Sequence, residues 1–349
     1  MIRSLSRWRA RVLAVGLTVA AVPLLCPGAA GAVPGGNTCR DVDVPVVMPL
    51  AGEVNAHGRL CLPPGAEPAV VQILLHGGTY NGLYWDFPYE PDRYSYVRAA
   101  NRAGYATFTV DQIGYGRSTR PLSTLVTDVG QADVAHQLVT KLRSGEIGST
   151  RFSKVVLVGH SMGSGTAALE SSRHRDVDGV VLTGFSHRMS PLGTAGAAAD
   201  GIYPAPLDPK FGLSVDPGYF TTKPGARDTL FHNPPDVDPR VQAIDDQTKD
   251  VVSSTEFGQN IGLAFTAPTS LGITAPVLIA NGSADAIFCG ATDCSTAEAL
   301  DASERPYFAP GESLDTYVLA GAGHAATLAR NAPELTTAIL DWTRENVGR

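Results

Sequence analysis

Four aliphatic residues, Val155-Val156-Leu157-Val158, run without a spacer into Gly159-His160-Ser161-Met162-Gly163, and from there into the small-residue stretch Ser164 to Leu169. An apolar run bounded by glycine reads as a buried strand, and the stretch after it reads as a helix, so the chain has only these five residues in which to turn. A turn that sharp strains the backbone of the central serine and leaves no space for neighbouring Cβ atoms, which is why glycine is needed at 159 and 163. It also exposes the Ser161 hydroxyl beside the first amides of the helix, a place that favours negative charge. The turn belongs at the carboxyl edge of a parallel strand, so the surrounding fold must be of the α/β kind.

The rest of the chain keeps that rhythm. Short apolar runs at Ala69 to Leu75, Ala106 to Val110, Val155 to Val158, Val180 to Thr183, Val277 to Ala280 and Thr316 to Leu319 predict a mostly parallel central sheet with helices on both faces. Between the second and third runs, Ala132, Ala135, Leu138, Val139 and Leu142 recur at helical spacing over Asp128 to Arg143, with Asp128 and Gln131 as a capping pair. A terminal helix begins near Pro333, with Leu335, Ile339, Leu340 and Trp342 on its apolar side. One stretch breaks the pattern. His187 to Thr274 is rich in proline, shows no convincing buried strand, and carries Tyr203, Phe211, Tyr219, Phe220 and Phe231 as apolar anchors. It reads as a lid or cap inserted in the domain, with a short helix over Asp245 to Ser254.

Residues 1–32 read as an export signal: a basic head with Arg3, Arg7, Arg9 and Arg11, an apolar run from Val12 to Cys26, and Ala30-Gly31-Ala32 for cleavage after Ala32. That apolar run is shorter than the ~20 residues of a bilayer span. The expected mature chain, 33–349, is therefore a secreted domain with no stable membrane insertion. It retains four cysteines, an even number for an oxidising compartment. Pairing Cys39 with Cys61 suits a hairpin of Asp41 to Val47 and Val54 to Leu62, and pairing Cys289 with Cys294 closes a short loop; a zinc site is the alternative, without a CxxC or histidine pair to support it. The formal charge of −7 becomes more negative without the arginine-rich head, which argues against nucleic acid and anionic membranes as partners.

Serine is a weak nucleophile at neutral pH and needs a histidine to take its proton and a carboxylate to orient that histidine. Asp285 follows the strand Pro276 to Ala280, and His324 follows the last strand within Gly321-Ala322-Gly323-His324. Parallel strands end at one edge, so Ser161, Asp285 and His324 are expected to open onto one crevice. Asp293, Asp245 and Asp246 compete for the acid role, but each lacks a strand immediately before it. His160 and His76 are expected to pack and hydrogen-bond, and His187 and His232 at most to line a pocket. A bridge between Cys289 and Cys294 would stiffen the turn carrying Asp285.

From about Asp41 to Val347, the Ser-Asp-His order and its strand-end placement resemble the α/β-hydrolase superfamily. The resemblance implies Ser161 as nucleophile, His324 as general base and then acid, and Asp285 as its partner. His76-Gly77-Gly78-Thr79 looks like the family's oxyanion loop, so Gly78 and Met162 are the expected amide donors, with Thr79 in reserve. Asp111 to Ser118 resembles the family's D-x-R-G-x-G-x-S turn with Ile113 in place of arginine, and is read as structural. The aromatics from Tyr80 to Tyr96 suggest an apolar pocket rim, with Thr79, Tyr80, Tyr84 and Trp85 as substrate-binding candidates. The expected function is a secreted serine esterase or lipase-like enzyme on a small-molecule or polymeric ester. A lactonase or acyltransferase using the same triad, and a non-catalytic binding module, are the alternatives. No dinucleotide, P-loop or metal motif appears, so neither cofactor nor metal is expected.

Overall fold

The computed structural model describes residues 38–65, 68–190, 201–266 and 269–349; the expected export signal and its cleavage site lie outside these. An eight-stranded sheet runs in the order β1-β2-β4-β3-β5-β6-β10-β11. Its strands are β1 (Thr38–Met48), β2 (Gly52–Leu62), β3 (Val70–Leu75), β4 (Ala106–Val110), β5 (Lys154–His160), β6 (Gly179–Thr183), β10 (Val277–Gly282) and β11 (Leu314–Leu319). The β1–β2 hairpin joins β4 antiparallel, and every other pairing is parallel. Cys39 and Cys61 are directly opposite in the hairpin register and are bonded to each other, as Cys289 is to Cys294.

Strands β3, β4, β6 and β10 are buried along their whole length, because both faces are covered. Their side chains alternate between two cores. Val71, Ile73, Val155 and Leu157 face α3 (Asp128–Ser144) and α4 (Met162–His174), where Val134, Leu138, Leu142 and Ala167 complete one apolar cluster. Val70, Leu74, Val156 and Val158 face the other way, into a cluster with Val97 and Ala100 of α2 (Tyr96–Arg102) and Leu335, Ile339 and Trp342 of the C-terminal helix (Ala332–Asn346). A four-residue helix, α1 (Pro91–Tyr94), precedes α2.

The segment between β6 and β10 departs from the sequence expectation in two ways. It contains a small antiparallel sheet of β7 (Ile202–Pro204), β8 (Tyr219–Thr222) and β9 (Val252–Ser253), where no strand was expected. These strands are too short to carry a periodic apolar pattern. The helix expected over Asp245 to Ser254 is instead two helices on either side of β9: α6 (Pro239–Thr248) and α7 (Ser254–Asn260), after a short α5 (Arg227–Leu230). The Asp238 carboxylate accepts from the Arg240 amide and Pro239 occupies the first helical position, so α6 starts earlier. It stops at Thr248 because the Asp250 amide is drawn to the Thr79 carbonyl, 2.8 Å away, and the Ser253 hydroxyl then caps α7. Helix α8 (Ala297–Glu304) and the terminal helix α9 (Ala332–Asn346) close the domain. No helix among the described residues is long and apolar enough to cross a membrane.

Candidate active site

Ser161 sits between β5 and α4 with φ 54° and ψ −119°, outside the regions that L-residues ordinarily adopt. The strain is held in place by packing of backbone on backbone. A Cβ on Gly159 would lie 2.5 Å from the Ser164 amide, and one on Gly163 would lie 2.4 Å from the Leu75 carbonyl oxygen. Either contact would force the elbow apart, so the sequence can turn here only with glycine at both positions. The Ser161 amide donates to the Thr183 carbonyl of β6 at 2.9 Å, fixing the turn to the sheet.

Asp285 and His324 follow β10 and β11, and both are buried. Asp285 Oδ2 accepts from His324 Nδ1 at 2.8 Å. The other oxygen, Oδ1, accepts from the amides of Ile287 and Phe288 at 2.8 and 3.2 Å. With Asp285 fully occupied as an acceptor, the His324 proton belongs on Nδ1 and the lone pair on Nε2. His324 Nε2 is buried and has no hydrogen-bond partner among the described residues. The Cys289–Cys294 bridge lies just beyond, and the Cys289 amide donates to the Asp285 carbonyl at 2.9 Å.

The loop after β3 lies against the elbow: a Cβ on Gly77 would come within 2.9 Å of Ser161 Cβ, and one on Gly78 within 2.5 Å of Met162 Sδ. Thr79 adopts φ 62°, a strained value for a β-branched residue. Two residues of the β6–β10 segment hold it there. Its carbonyl accepts from the Asp250 amide at 2.8 Å and from Arg227 Nη1 at 3.2 Å, and its hydroxyl oxygen accepts from the same Nη1 at 3.0 Å.

Arg227 is fully buried, and nothing in the sequence singles it out. Its Nε and Nη2 donate to the two oxygens of Asp245, both at 2.9 Å, and its guanidinium lies 4.0 Å from the centre of the Tyr80 ring. Asp245 Oδ2 also bonds His232 Nε2 at 2.9 Å. Burial alone would raise the Asp245 pKa, but the Arg227 charge and the His232 hydrogen bond bring it down to about 2. Asp245, a rival for the acid role in the sequence, is thus committed to Arg227 and His232, and among the four candidates the hydrogen bond to His324 comes from Asp285.

An apolar cavity of about 110 Å³ opens beside Ser161, walled by Gly78, Thr79 and Met162 on one side and by Leu230, Phe231, Val252, Phe257 and Phe288 among others. Tyr80, Tyr84 and Trp85 are not part of this wall; they are buried in the core behind it, where Tyr84 stacks on His160 at 4.2 Å. His160 is surrounded by rings, and its burial holds its pKa well below the ordinary histidine value, so it stays neutral. His76 bonds the Gly77 carbonyl and the Gln112 amide, which ties the loop to the Asp111 turn. Asp111 accepts from the amides of Gly82 and Arg117, a structural arrangement. His187 is paired with Glu304 at 2.6 Å, away from the cavity wall.

Residues 72–337 match the model of a family described as the alpha/beta hydrolase family. A curated protein from Synechocystis sp., provisionally named a non-heme chloroperoxidase, is 36% identical over 93 residues, and the match spans 27% of this chain and only 28% of that protein. Among solved structures, a thermophilic esterase from Thermogutta terrifontis superposes with a TM-score of 0.59 at 18% identity, covering 87% of this chain and 98% of that one. A carboxylesterase from Bacillus subtilis superposes with a TM-score of 0.57 at 16% identity, covering 88% and 93%.

Proposed function

Because the chain belongs to the alpha/beta hydrolase family, we propose that it is a serine hydrolase of carboxylic esters working through an acyl-enzyme on Ser161. The observation that carries the reading is the buried Asp285–His324 pair, which leaves an unpartnered Nε2 at the sheet edge where the strained Ser161 also stands. His324 Nε2 takes the hydroxyl proton as Ser161 Oγ attacks the ester carbonyl. Asp285 stabilises the imidazolium, and the amides of Gly78 and Met162 receive the oxyanion. Collapse releases the alcohol with the proton from His324; water then gives a proton to His324 as it attacks the acyl group, and the acid is freed as Ser161 Oγ leaves and takes that proton back from His324.

The cavity supports an apolar acyl or alcohol arm, since none of its lining residues is charged. Its size is below the ~300 Å³ at which drug-sized sites begin, which favours a chain of a few carbons. The β6–β10 segment, about 187–274, serves as a cap, because Leu230, Phe231, Val252 and Phe257 form the cavity's outer wall. Two disulfides support an oxidising, extracellular setting, in keeping with residues 1–32 as an export signal.

The test is labelling with a fluorophosphonate, read by peptide mass, together with hydrolysis of p-nitrophenyl esters of increasing chain length. One adduct on Ser161 and a preference for short acyl chains are expected, with Ser161→Ala losing at least about 10³-fold in kcat. A folded protein that takes no label and cleaves no ester overturns the assignment.

A further inference from the structure

On the far side of the sheet from the terminal helix, three potential ligands converge between α3 and the end of α4. His136 lies on α3, Glu170 in the last turns of α4, and Asp176 in the loop to β6, and one donor atom from each lies within 4.8 Å of the others. The Glu170 side chain is wholly buried, and its Oε1 has no hydrogen-bond partner among the described residues. The Oδ1 atom of Asp176 is likewise buried and unpartnered. The neighbouring cations are engaged elsewhere. Arg143 donates to Asp178 at 2.6 Å and to the backbone carbonyl of Asp176 at 2.7 Å, while Arg173 and His174 both face Asp133, at 3.6 and 3.2 Å. Asp176 is met by His136, whose Nδ1 lies 2.7 Å from Oδ2, and by the Glu170 carboxyl itself, and Ser171 adds a 3.4 Å contact to Glu170 Oε2. Two carboxylates therefore meet in low dielectric without a fixed positive charge, and something mobile must neutralise them.

We propose that His136, Glu170 and Asp176 form a binding site for a divalent ion of the Zn²⁺ class. One imidazole nitrogen with two carboxylate oxygens is a borderline donor set: the nitrogen disfavours Ca²⁺ and Mg²⁺, and the lack of thiolate disfavours soft ions. His136 is held flat against the His174 ring at 4.0 Å, which fixes the plane of the ligand. With about a third of the His136 side chain and a quarter of Asp176 exposed, an ion has a way in and room for a water ligand. Without the ion, the pair neutralises itself by holding a proton on Glu170, whose pKa burial and the Asp176 carboxylate push up to about 9. The site ties α3 to the far end of the helix that begins after Ser161, so its role is structural and independent of the esterase reading.

The experiment is isothermal titration of tag-free, chelator-stripped full-length enzyme with Zn²⁺, with Mn²⁺ and Ca²⁺ in parallel, in two buffers of different ionisation enthalpy. Expected are one equivalent of saturable Zn²⁺ binding and a rise in melting temperature. Loss of a ligand costs at least the roughly 10–100-fold that loss of an outer partner costs, so His136→Ala and Glu170→Gln weaken binding by that much or more. Both variants keep their esterase rate and their circular-dichroism spectrum. Absence of saturable uptake, uptake unchanged in both folded variants, or Ca²⁺ bound more tightly than Zn²⁺ would overturn the assignment.

Discussion

Asp245 and Glu170 are both buried acids in contact with a histidine or a second acid, yet the protein treats them in opposite ways. Around Asp245 the donors are in excess: Arg227 supplies two N–H groups and a full charge, and His232 supplies a third contact. Around Glu170 and Asp176 the acceptors are in excess, and one oxygen of each is left bare. The first carboxylate is held ionised at about 2, while the second is pushed up to about 9. What separates them is the count of fixed charges within reach, since both are out of water. A buried acid matched by a fixed cation becomes a rigid strut; one without such a match becomes a place where a proton or an ion is taken up.

Removing the fixed cation breaks this contrast with the largest effect. Arg227→Met leaves Asp245 buried and uncompensated, a change that typically costs about 3–5 kcal/mol. Urea denaturation is expected to register that loss. The double variant Arg227→Met/Asp245→Leu removes both charges and should recover most of the stability, because a buried pair is often replaceable by apolar groups. Its kcat should nevertheless remain about 10- to 100-fold low, since Thr79 has lost the guanidinium that holds it at φ 62° beside the proposed oxyanion donors. Recovery of kcat along with stability would reduce Arg227 to a packing residue.

Glu256 offers an intermediate case, neutralised by a proton within a hydrogen-bonded network. It accepts from the Tyr115 hydroxyl at 2.8 Å and from Gln131 Nε2 at 3.2 Å, and burial pushes its pKa up to about 8. The folded value lies above the ordinary 4.5, so the unfolded chain gives up this proton first. The group's contribution to stability is therefore complete below about 4.5 and is lost as pH rises through about 8. Melting curves of wild type and Glu256→Gln between pH 5 and 9 should diverge in favour of the variant, by an amount on the order of a few kcal/mol at the alkaline end. Parallel curves would mean that Glu256 is ionised in the folded protein.

The sequence carried the sheet and the elbow because each leaves a local mark. Short runs rich in apolar and β-branched residues announce β3 to β6 and β10, and Gly159 and Gly163 announce the turn at Ser161. Cys39 and Cys61 were legible as partners because turn residues separate two β-like runs around them. The segment between β6 and β10 was legible only as an interruption. Its strands are two to four residues long, too short for a period, and the start of α6 at Pro239 was hidden among other prolines. Tyr84 and Trp85 looked like a pocket rim because aromatic density does not say which way rings point, and they point into the core. Arg227 meets Thr79 across 148 residues, and His136 meets Asp176 across 40, without a motif in either case. Such pairings are made by the sheet order, which brings distant loops to one edge and distant helix faces together.

Glu170→Gln gives the smallest effect and the sharpest one. In the metal-free protein at pH 7 the side chain already holds its proton, because its pKa is raised to about 9. Glutamine then replaces a neutral acid of nearly the same shape, and near pH 4.5, where the unfolded carboxyl is protonated as well, the change in stability is expected to be small. Replacing the charged Arg227 and replacing the neutral Glu170 would thus differ several-fold in cost, though both side chains are fully buried. The folded value again exceeds the unfolded one, so the wild type should weaken relative to the variant as pH rises toward 9. Saturating Zn²⁺ should invert the order, stabilising the wild type and leaving the variant where it was. A large loss in the metal-free variant at pH 7 would show that Glu170 is ionised and already paired, and the distinction between the two clusters would collapse.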